Sequence, residues 1–199
     1  MKSPHMFIFL GRSGSGKGTQ LELLKKYIGG IDTEHAQFDF GMGDAYRAFF
    51  KSESYIAGIA KELTNAGNFQ PDFLTNALFV SYLANHIPEN AHLFIEGFPR
   101  SQGQLEAVMS LAAYAKLPKP IFIDVDVSET EVRKRLLGRG RTDDVDDAIN
   151  KRLSEYTRAV VPLILQLKSD DQYVYWHIDG ERSIETIHED IISKIKEII

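Results

Sequence analysis

A glycine-rich loop between an apolar run and a helix-like stretch constrains this chain more than any other feature. Residues Met6 to Leu10 are consecutively apolar and predict a buried strand. The loop follows as Gly11-Arg-Ser-Gly-Ser-Gly-Lys-Gly-Thr19, and apolar residues then recur at helical spacing. This order predicts a turn whose backbone N–H groups converge on a polyphosphate, which the side chain of Lys17 reaches.

The loop departs from the generic phosphate-binding pattern at one position. Gly18 stands where Ser or Thr is usual, so the hydroxyl group comes one residue later, on Thr19. We assign phosphate binding to the consecutive residues Gly14, Ser15, Gly16, Lys17, Gly18 and Thr19.

Short apolar runs and stretches of helical period alternate along the rest of the chain. Further strands are predicted at 37–40, 93–95, 120–127 and 172–178. Ser128 followed by Glu131 predicts a capping box at the start of one helix, and Pro162 predicts a local interruption of another. Strands separated by helices need crossover connections, which favour an α/β fold with a parallel sheet covered on both faces.

Composition excludes several classes of protein. The 23 Lys and Arg residues against 28 Asp and Glu residues give a net charge of −5, which disfavours nucleic acid or an anionic membrane as a partner. The absence of Cys excludes a disulfide framework and a thiol nucleophile. The six His residues show no metal-ligand spacing, so we expect them at the surface or at helix caps, with no metal site built by the protein. We expect a cytoplasmic monomer.

Several short motifs occur in an order that resembles the nucleoside monophosphate kinase family, adenylate kinases most of all. The similarity spans nearly the whole chain. It rests on Gly16-Lys-Gly-Thr-Gln20, Gly43-Asp-Ala-Tyr-Arg47, Gly67-Asn-Phe-Gln-Pro71, Glu96-Gly-Phe-Pro-Arg100 with Gln104, and the arginines 135, 139, 141 and 152.

The resemblance implies a P-loop NTPase three-layer fold with a five-stranded parallel sheet, a helical insert that binds the nucleoside monophosphate (NMP), and a minimal lid. The implied division is core at 1–40, NMP-binding insert at 41–70, core at 71–137, lid at 138–144 and core at 145–199. The implied reaction is reversible transfer of the γ-phosphoryl group of MgATP to AMP, giving two ADP. A UMP/CMP-type kinase and a non-catalytic nucleotide-binding switch remain alternatives.

The resemblance also implies roles for individual residues. Arginine suits them because it stays charged and grips phosphate oxygens bidentately. ATP is assigned to the loop together with Arg139 and Arg182, with Mg²⁺ held through the ATP phosphates and water, and Glu96 orienting that water. The predicted catalytic residues are Lys17, Arg100, Arg139, Arg141 and Arg152. The predicted substrate-binding residues are Met42, Arg47, Gln70, Gly97, Arg100, Gln104, Arg141 and Arg152.

This chain departs from the family pattern in three places. Only Gly140 separates Arg139 from Arg141, so the lid is little more than a turn. Met42 replaces a Thr that is typical of adenylate kinases, and Glu96 replaces the usual Asp. Two further arginines have no assigned chemistry: we expect Arg12 to face solvent and Arg135 to cover a helix face.

Overall fold

The strands form one all-parallel sheet. The computed structural model describes residues 3–139 and 145–198, with the backbone alone for Arg139. The strands are β1 (Met6–Leu10), β2 (Ala36–Gly41), β3 (Ala91–Glu96), β4 (Ile121–Asp126) and β5 (Val174–Asp179). They lie in the order β2-β3-β1-β4-β5. The predicted five-stranded parallel sheet is therefore confirmed, and each strand overlaps its predicted range.

Helices occupy most of the chain between the strands. They are α1 (Lys17–Ile31), α2 (Met42–Phe49), α3 (Tyr55–Asn65), α4 (Asp72–His86), α5 (Gln102–Tyr114), α6 (Glu129–Arg139), α7 (Asp146–Glu155), α8 (Val161–Ser169) and α9 (Ile184–Lys196). A π-helical turn at Tyr156–Val160 joins α7 to α8, and Pro162 lies in the first turn of α8. The interruption predicted from Pro162 is confirmed, since proline has no N–H to continue the helical ladder. None of the described helices is long and apolar enough to cross a membrane.

The central strand β1 is buried on both faces. Phe7 and Phe9 point into one apolar layer, which α1 and α9 cover, while Ile8 and Leu10 point into the other. This follows from the two-residue period of a strand. The second layer also contains Phe98, which stacks on Phe79 of α4 with ring centroids 4.1 Å apart. Full burial of one such ring contributes about 1.5–3 kcal/mol to folding.

The capping box predicted at Ser128 is only half formed. Ser128 Oγ accepts a hydrogen bond from the N–H of Glu131 at 3.4 Å, as predicted. The N–H of Ser128, however, donates to Glu181 Oε1 at 2.9 Å, and the carboxylate of Glu131 accepts from Arg135 Nε at 2.9 Å instead. The carboxylate of Glu181 thus ties the start of α6 to the loop that follows β5.

The prediction that the histidines lie at the surface or at caps is wrong for His92. Its side chain is fully buried at 0% exposure in β3. His92 Nδ1 accepts from the N–H of His5 at 3.0 Å, and His92 Nε2 lies 3.2 Å from Asp32 Oδ2. Asp32 also contacts His35 Nδ1 at 2.9 Å. The partners of His92 are 87 and 60 positions away, so spacing could not reveal them.

Candidate active site

The glycine loop connects β1 to α1 in a conformation that only glycine adopts easily. Gly14 and Gly16 have φ of +85° and +94°, where a side chain is strained. At Gly11, with φ of +130°, a Cβ atom would also lie 2.4 Å from the carbonyl oxygen of Val125 in β4. The loop backbone therefore lies tightly against the neighbouring strand end.

The start of α1 remains open to an anion. Among the described residues, no side chain caps this helix and no acidic residue lies in its first turn. The N–H groups at a helix start carry partial positive charge and favour a phosphate. Lys17 is 9% exposed, and its Nζ donates to the carbonyl oxygen of Arg12 at 2.7 Å. The Lys17 ammonium group thus lies over the loop.

The structure gives a reason for the glycine at position 18. A Cβ atom at this position would lie 2.9 Å from Glu96 Oε2, closer than real Cβ atoms approach. Glu96 is the last residue of β3, the strand beside β1. Glycine at position 18 therefore leaves room for the carboxylate of Glu96 at the mouth of the loop, in the orientation that this side chain adopts.

A second site lies where the segment that follows Glu96 reaches Arg100. It is a cleft of about 400 Å³, formed where α3 leads into α4, where α5 begins, and along the π-helical turn. Its lining residues are Phe69, Gln70, Pro71, Asp72, Arg100, Ser101, Gln104, Arg158 and Ala159. The structure thus brings together three predicted substrate-binding residues, Gln70, Arg100 and Gln104.

Arg100 is the cationic group that the predicted acceptor site requires. Its guanidinium carbon lies 4.6 Å from the centre of the Phe69 ring, which is a cation–π contact. Burial lowers the pKa of Arg100, and the nearby positive charge of Arg152 on α7 lowers it further, whereas the Glu96 carboxylate raises it. The positive charge of Arg152 therefore acts on Arg100, so the two guanidinium groups contribute to the same electrostatic environment.

Two further predicted residues lie beside Arg100. A Cβ atom at Gly97, whose φ is +75°, would lie 3.2 Å from Arg100 Nη2 and 3.6 Å from Met42 Cβ. The absence of a side chain at Gly97 thus leaves space for the guanidinium group. Met42 is 1% exposed and packs into the larger apolar layer at the start of α2.

Other predicted residues lie apart from the cleft or beyond the described chain. Arg47 is exposed and pairs with Asp44 on its own helix. Arg182 pairs with Asp179 and Asp190 after β5. Arg141, the side chain of Arg139 and the lid sequence from Gly140 to Asp144 lie outside the described residues.

Two arginines have more specific positions than the sequence suggested. The expectation that Arg12 faces solvent is wrong: its side chain is 17% exposed, and its guanidinium carbon lies 4.9 Å from the centre of the Tyr156 ring. Arg135 does not simply cover a helix face, because it donates to the carbonyl oxygens of Ser15 at 3.4 Å and Gly180 at 3.2 Å. Arg135 therefore joins the glycine loop to the loop after β5.

Sequence reasoning missed Asp72, a residue that organises the cleft. Asp72 Oδ1 accepts from Gln104 Nε2 at 2.7 Å, and Asp72 Oδ2 accepts from Ser101 Oγ at 2.7 Å. In the sequence, Asp72 is only an acidic residue directly after Pro71, and this pattern is typical of an ordinary helix start. Its partners lie 32 and 29 positions further along the chain.

Asp32, His35 and His92 also come close enough to suggest a metal site, with one ligand atom from each within 4.8 Å of the others. The hydrogen bonds argue against that use. Because His92 Nδ1 accepts from a backbone N–H, the ring proton resides on Nε2, which then donates to Asp32 and has no lone pair for a metal. The cluster is explained as a buried hydrogen-bond network.

A parallel sheet with a glycine loop after its first strand, and a second cleft lined by a half-buried arginine, defines a P-loop phosphotransferase of the nucleoside monophosphate kinase class. A family model described as "Adenylate kinase" matches residues 9–172. The chain therefore belongs to the adenylate kinase family.

Curated relatives of this chain belong to the same family. An adenylate kinase of Phocaeicola vulgatus is 31% identical over 195 residues, covering 96% of this chain and 98% of the relative. One from Bacteroides thetaiotaomicron is 31% identical, with 96% and 98% coverage. One from Synechococcus sp. is 33% identical over 160 residues, covering 80% of this chain and 82% of the relative.

Proposed function

We propose that the glycine loop binds ATP, that the cleft beside Arg100 binds AMP, and that the γ-phosphoryl group passes directly between them. An oxygen of the AMP phosphate forms a bond to the γ-phosphorus as the bond from that phosphorus to the ADP oxygen breaks, giving two ADP. The observation that carries this proposal is the segment from Glu96 to Arg100. Its first residue lies against the start of α1 and its last lines the cleft, so one strand end adjoins both sites.

No general base is required for this reaction. A phosphate monoester is largely ionised near neutral pH, because its second pKa is about 6. What limits the reaction is the approach of two anions and the charge on the transferred group. Arg100 and Arg152 would hold the acceptor phosphate, and Lys17 would exchange its bond to the Arg12 carbonyl for oxygens of the β- and γ-phosphates. The roles of Arg47, Arg139, Arg141 and Arg182 stay predictions.

The mouth of the glycine loop fits the Mg²⁺ that accompanies ATP. The carboxylate of Glu96 lies against Gly18, and the next residue in the sequence, Thr19, carries a hydroxyl group. Mg²⁺ prefers oxygen ligands and keeps several waters. The ion would be held through the ATP phosphates and water, with the carboxylate of Glu96 orienting that water, and its charge would offset that of the phosphates.

A bisubstrate analogue tests both sites at once. Two adenosines joined by five phosphates should bind with one molecule per chain and prevent the binding of both ATP and AMP in calorimetry. An assay of ADP formation from MgATP with AMP, CMP, UMP or GMP then tests turnover and acceptor preference. Room for a single nucleotide per chain, or binding without ADP formation, would contradict the proposal and favour a switch.

We further propose that a single chain is the active unit, since one chain contributes both clefts and the residues between them. Sedimentation velocity at assay concentrations should give one species near the 22.5 kDa of the chain. A stable dimer would contradict this. A cytoplasmic location stays a prediction from the cysteine-free sequence.

A further inference from the structure

The amide of Gln104 has a fixed orientation in the cleft. Its Nε2 donates to Asp72 Oδ1 at 2.7 Å, and its Oε1 accepts from the N–H of Arg100 at 2.8 Å. A primary amide has two N–H groups and two oxygen lone pairs. One donor and one acceptor of Gln104 therefore remain for a ligand.

The reverse orientation of this amide is disfavoured at both ends. It would place Oε1 against the Asp72 carboxylate, which only accepts, and Nε2 against the N–H of Arg100, which only donates. Asp72 is itself held in place, because its second oxygen accepts from Ser101 Oγ at 2.7 Å. The start of α4 also favours a negative charge at this position. Asp72, together with the N–H of Arg100, therefore sets which end of the Gln104 amide donates.

Gln70, on the same cleft, also has a fixed polarity. Its Nε2 donates to the carbonyl oxygen of Ala60 at 2.7 Å and to Thr64 Oγ1 at 2.9 Å, which uses both amide hydrogens. Gln70 Oε1 is buried and has no hydrogen-bond partner among the described residues. An unsatisfied buried acceptor is costly, so this oxygen favours a ligand that carries an N–H group.

We propose that Asp72 is a positioning residue that orients Gln104 to select bases with an amino group beside an unprotonated ring nitrogen. Adenine and cytosine have this pattern. Hypoxanthine, guanine and uracil carry an oxo group beside a protonated nitrogen and present the opposite one. The remaining Gln104 N–H meets the ring nitrogen, its remaining lone pair accepts from the amino group, and Gln70 Oε1 accepts the second amino hydrogen. This selection rests on the function proposed above.

AMP and IMP are the sharpest pair of acceptors, because they have the same shape and differ in this donor–acceptor pattern. The wild-type protein should show a higher kcat/KM for AMP than for IMP, and for CMP than for UMP, with MgATP as donor. The substitution Asp72→Leu keeps a similar volume but removes both acceptor oxygens, so that only the N–H of Arg100 still holds the Gln104 amide in this orientation. The AMP-to-IMP ratio of kcat/KM should fall about tenfold, the effect of one such hydrogen bond. Asp72→Ala should change the ratio in the same direction.

The matched control is Glu106→Gln, which removes one exposed carboxylate from the same helix without contact to Gln104. It should leave the ratio unchanged. Calorimetric titration of AMP and IMP without ATP gives the ratio of affinities even for a variant of slow turnover, and thermal unfolding verifies folding.

The possible failures are distinguishable. An unchanged AMP-to-IMP ratio in both Asp72 variants, while AMP is still phosphorylated, would overturn the role of Asp72 alone. Equal use of AMP and IMP by the wild-type protein would overturn the base selection. Failure of the wild-type protein to phosphorylate any of the four monophosphates would instead overturn the proposed function.

Discussion

Lys17 is the residue whose charge faces the glycine loop most directly. Its Nζ lies 2.7 Å from the carbonyl oxygen of Arg12, and its side chain is largely buried. Hydrogen bonds between two ionised groups are roughly twice as strong as neutral ones, so the ammonium group is suited to the phosphate oxygens of the proposed nucleotide.

Lys17→Ala should lower kcat by about 100- to 1,000-fold, because one preorganised charge at the transferred phosphoryl group is lost. The fold should be retained, as circular dichroism would verify. Lys26→Ala removes an exposed charge from the same helix and should leave kcat unchanged. Near-normal turnover of the Lys17 variant would remove this residue from the mechanism.

Arg100→Ala should raise the KM for AMP by about 10- to 100-fold, since a hydrogen-bonded charge contributes about 1.5–3 kcal/mol. The KM for ATP should change much less, because Arg100 lines the cleft and not the glycine loop. Initial rates over a matrix of both substrates measure the two constants together. Equal increases in both would contradict the assignment of Arg100 to the acceptor.

At the scale of elements, α1 contains two adjacent glycines in different surroundings. A Cβ atom at Gly30 would meet nothing within 4 Å, whereas one at Gly29 would lie 2.9 Å from Gln37 Nε2. That Gln37 nitrogen donates to the carbonyl oxygen of Lys25 at 2.9 Å. A methyl group is therefore accommodated at position 30, whereas at position 29 it displaces the hydrogen bond of Gln37.

Gly30→Ala should raise the free energy of unfolding by about 0.4–1 kcal/mol, chiefly because the unfolded chain loses freedom. Gly29→Ala should raise the free energy of unfolding by less, or lower it, because the added methyl group displaces the hydrogen bond of Gln37. Urea unfolding of the two variants and the wild-type protein measures the difference. A larger gain at position 29 than at position 30 would contradict the surroundings described for α1.

The elements themselves were largely predictable, because their signals are local. The apolar run of β1 and the glycine loop read directly as strand and turn, and the structure confirms both. Contacts between distant elements were not predictable in this way. The sequence predicts a solvent-facing Arg12, because its aromatic partner Tyr156 belongs to a helical turn far along the chain and local residues do not reveal it. The sequence around Asp72 indicates only the start of a helix, because its partner Gln104 lies 32 positions further along the chain.

At the scale of the whole molecule, the buried His92 network couples stability to pH. Burial lowers the pKa of His92, although its hydrogen bond to Asp32 opposes this, and burial likewise lowers the pKa of His5. Burial would raise the pKa of Asp32, but hydrogen bonds from His35 and His92 lower it overall. Well above pH 6.5, His5 and His92 are neutral in both the folded and the unfolded state. As pH falls below 6.5, the unfolded chain binds more protons and stability decreases.

The free energy of unfolding should therefore decrease between pH 7.5 and pH 5, and His92→Gln should make that decrease smaller. At pH 7.5 the same variant should be less stable by about 1–3 kcal/mol, because buried partners of His92 lose a hydrogen bond. His86→Gln, at an exposed position, is the control. Urea unfolding at each pH gives the slope of the free energy of unfolding against pH. Equal slopes for the wild-type protein and the His92 variant would contradict the assignment of this pH dependence to His92.

The stretch from Glu96 to Arg100 also has a thermodynamic consequence. In the proposed arrangement, ATP and AMP would bind at opposite ends of this five-residue stretch, so the two binding equilibria would share one linkage free energy. Linkage is reciprocal: the factor by which ATP alters the dissociation constant of AMP must equal the factor by which AMP alters that of ATP.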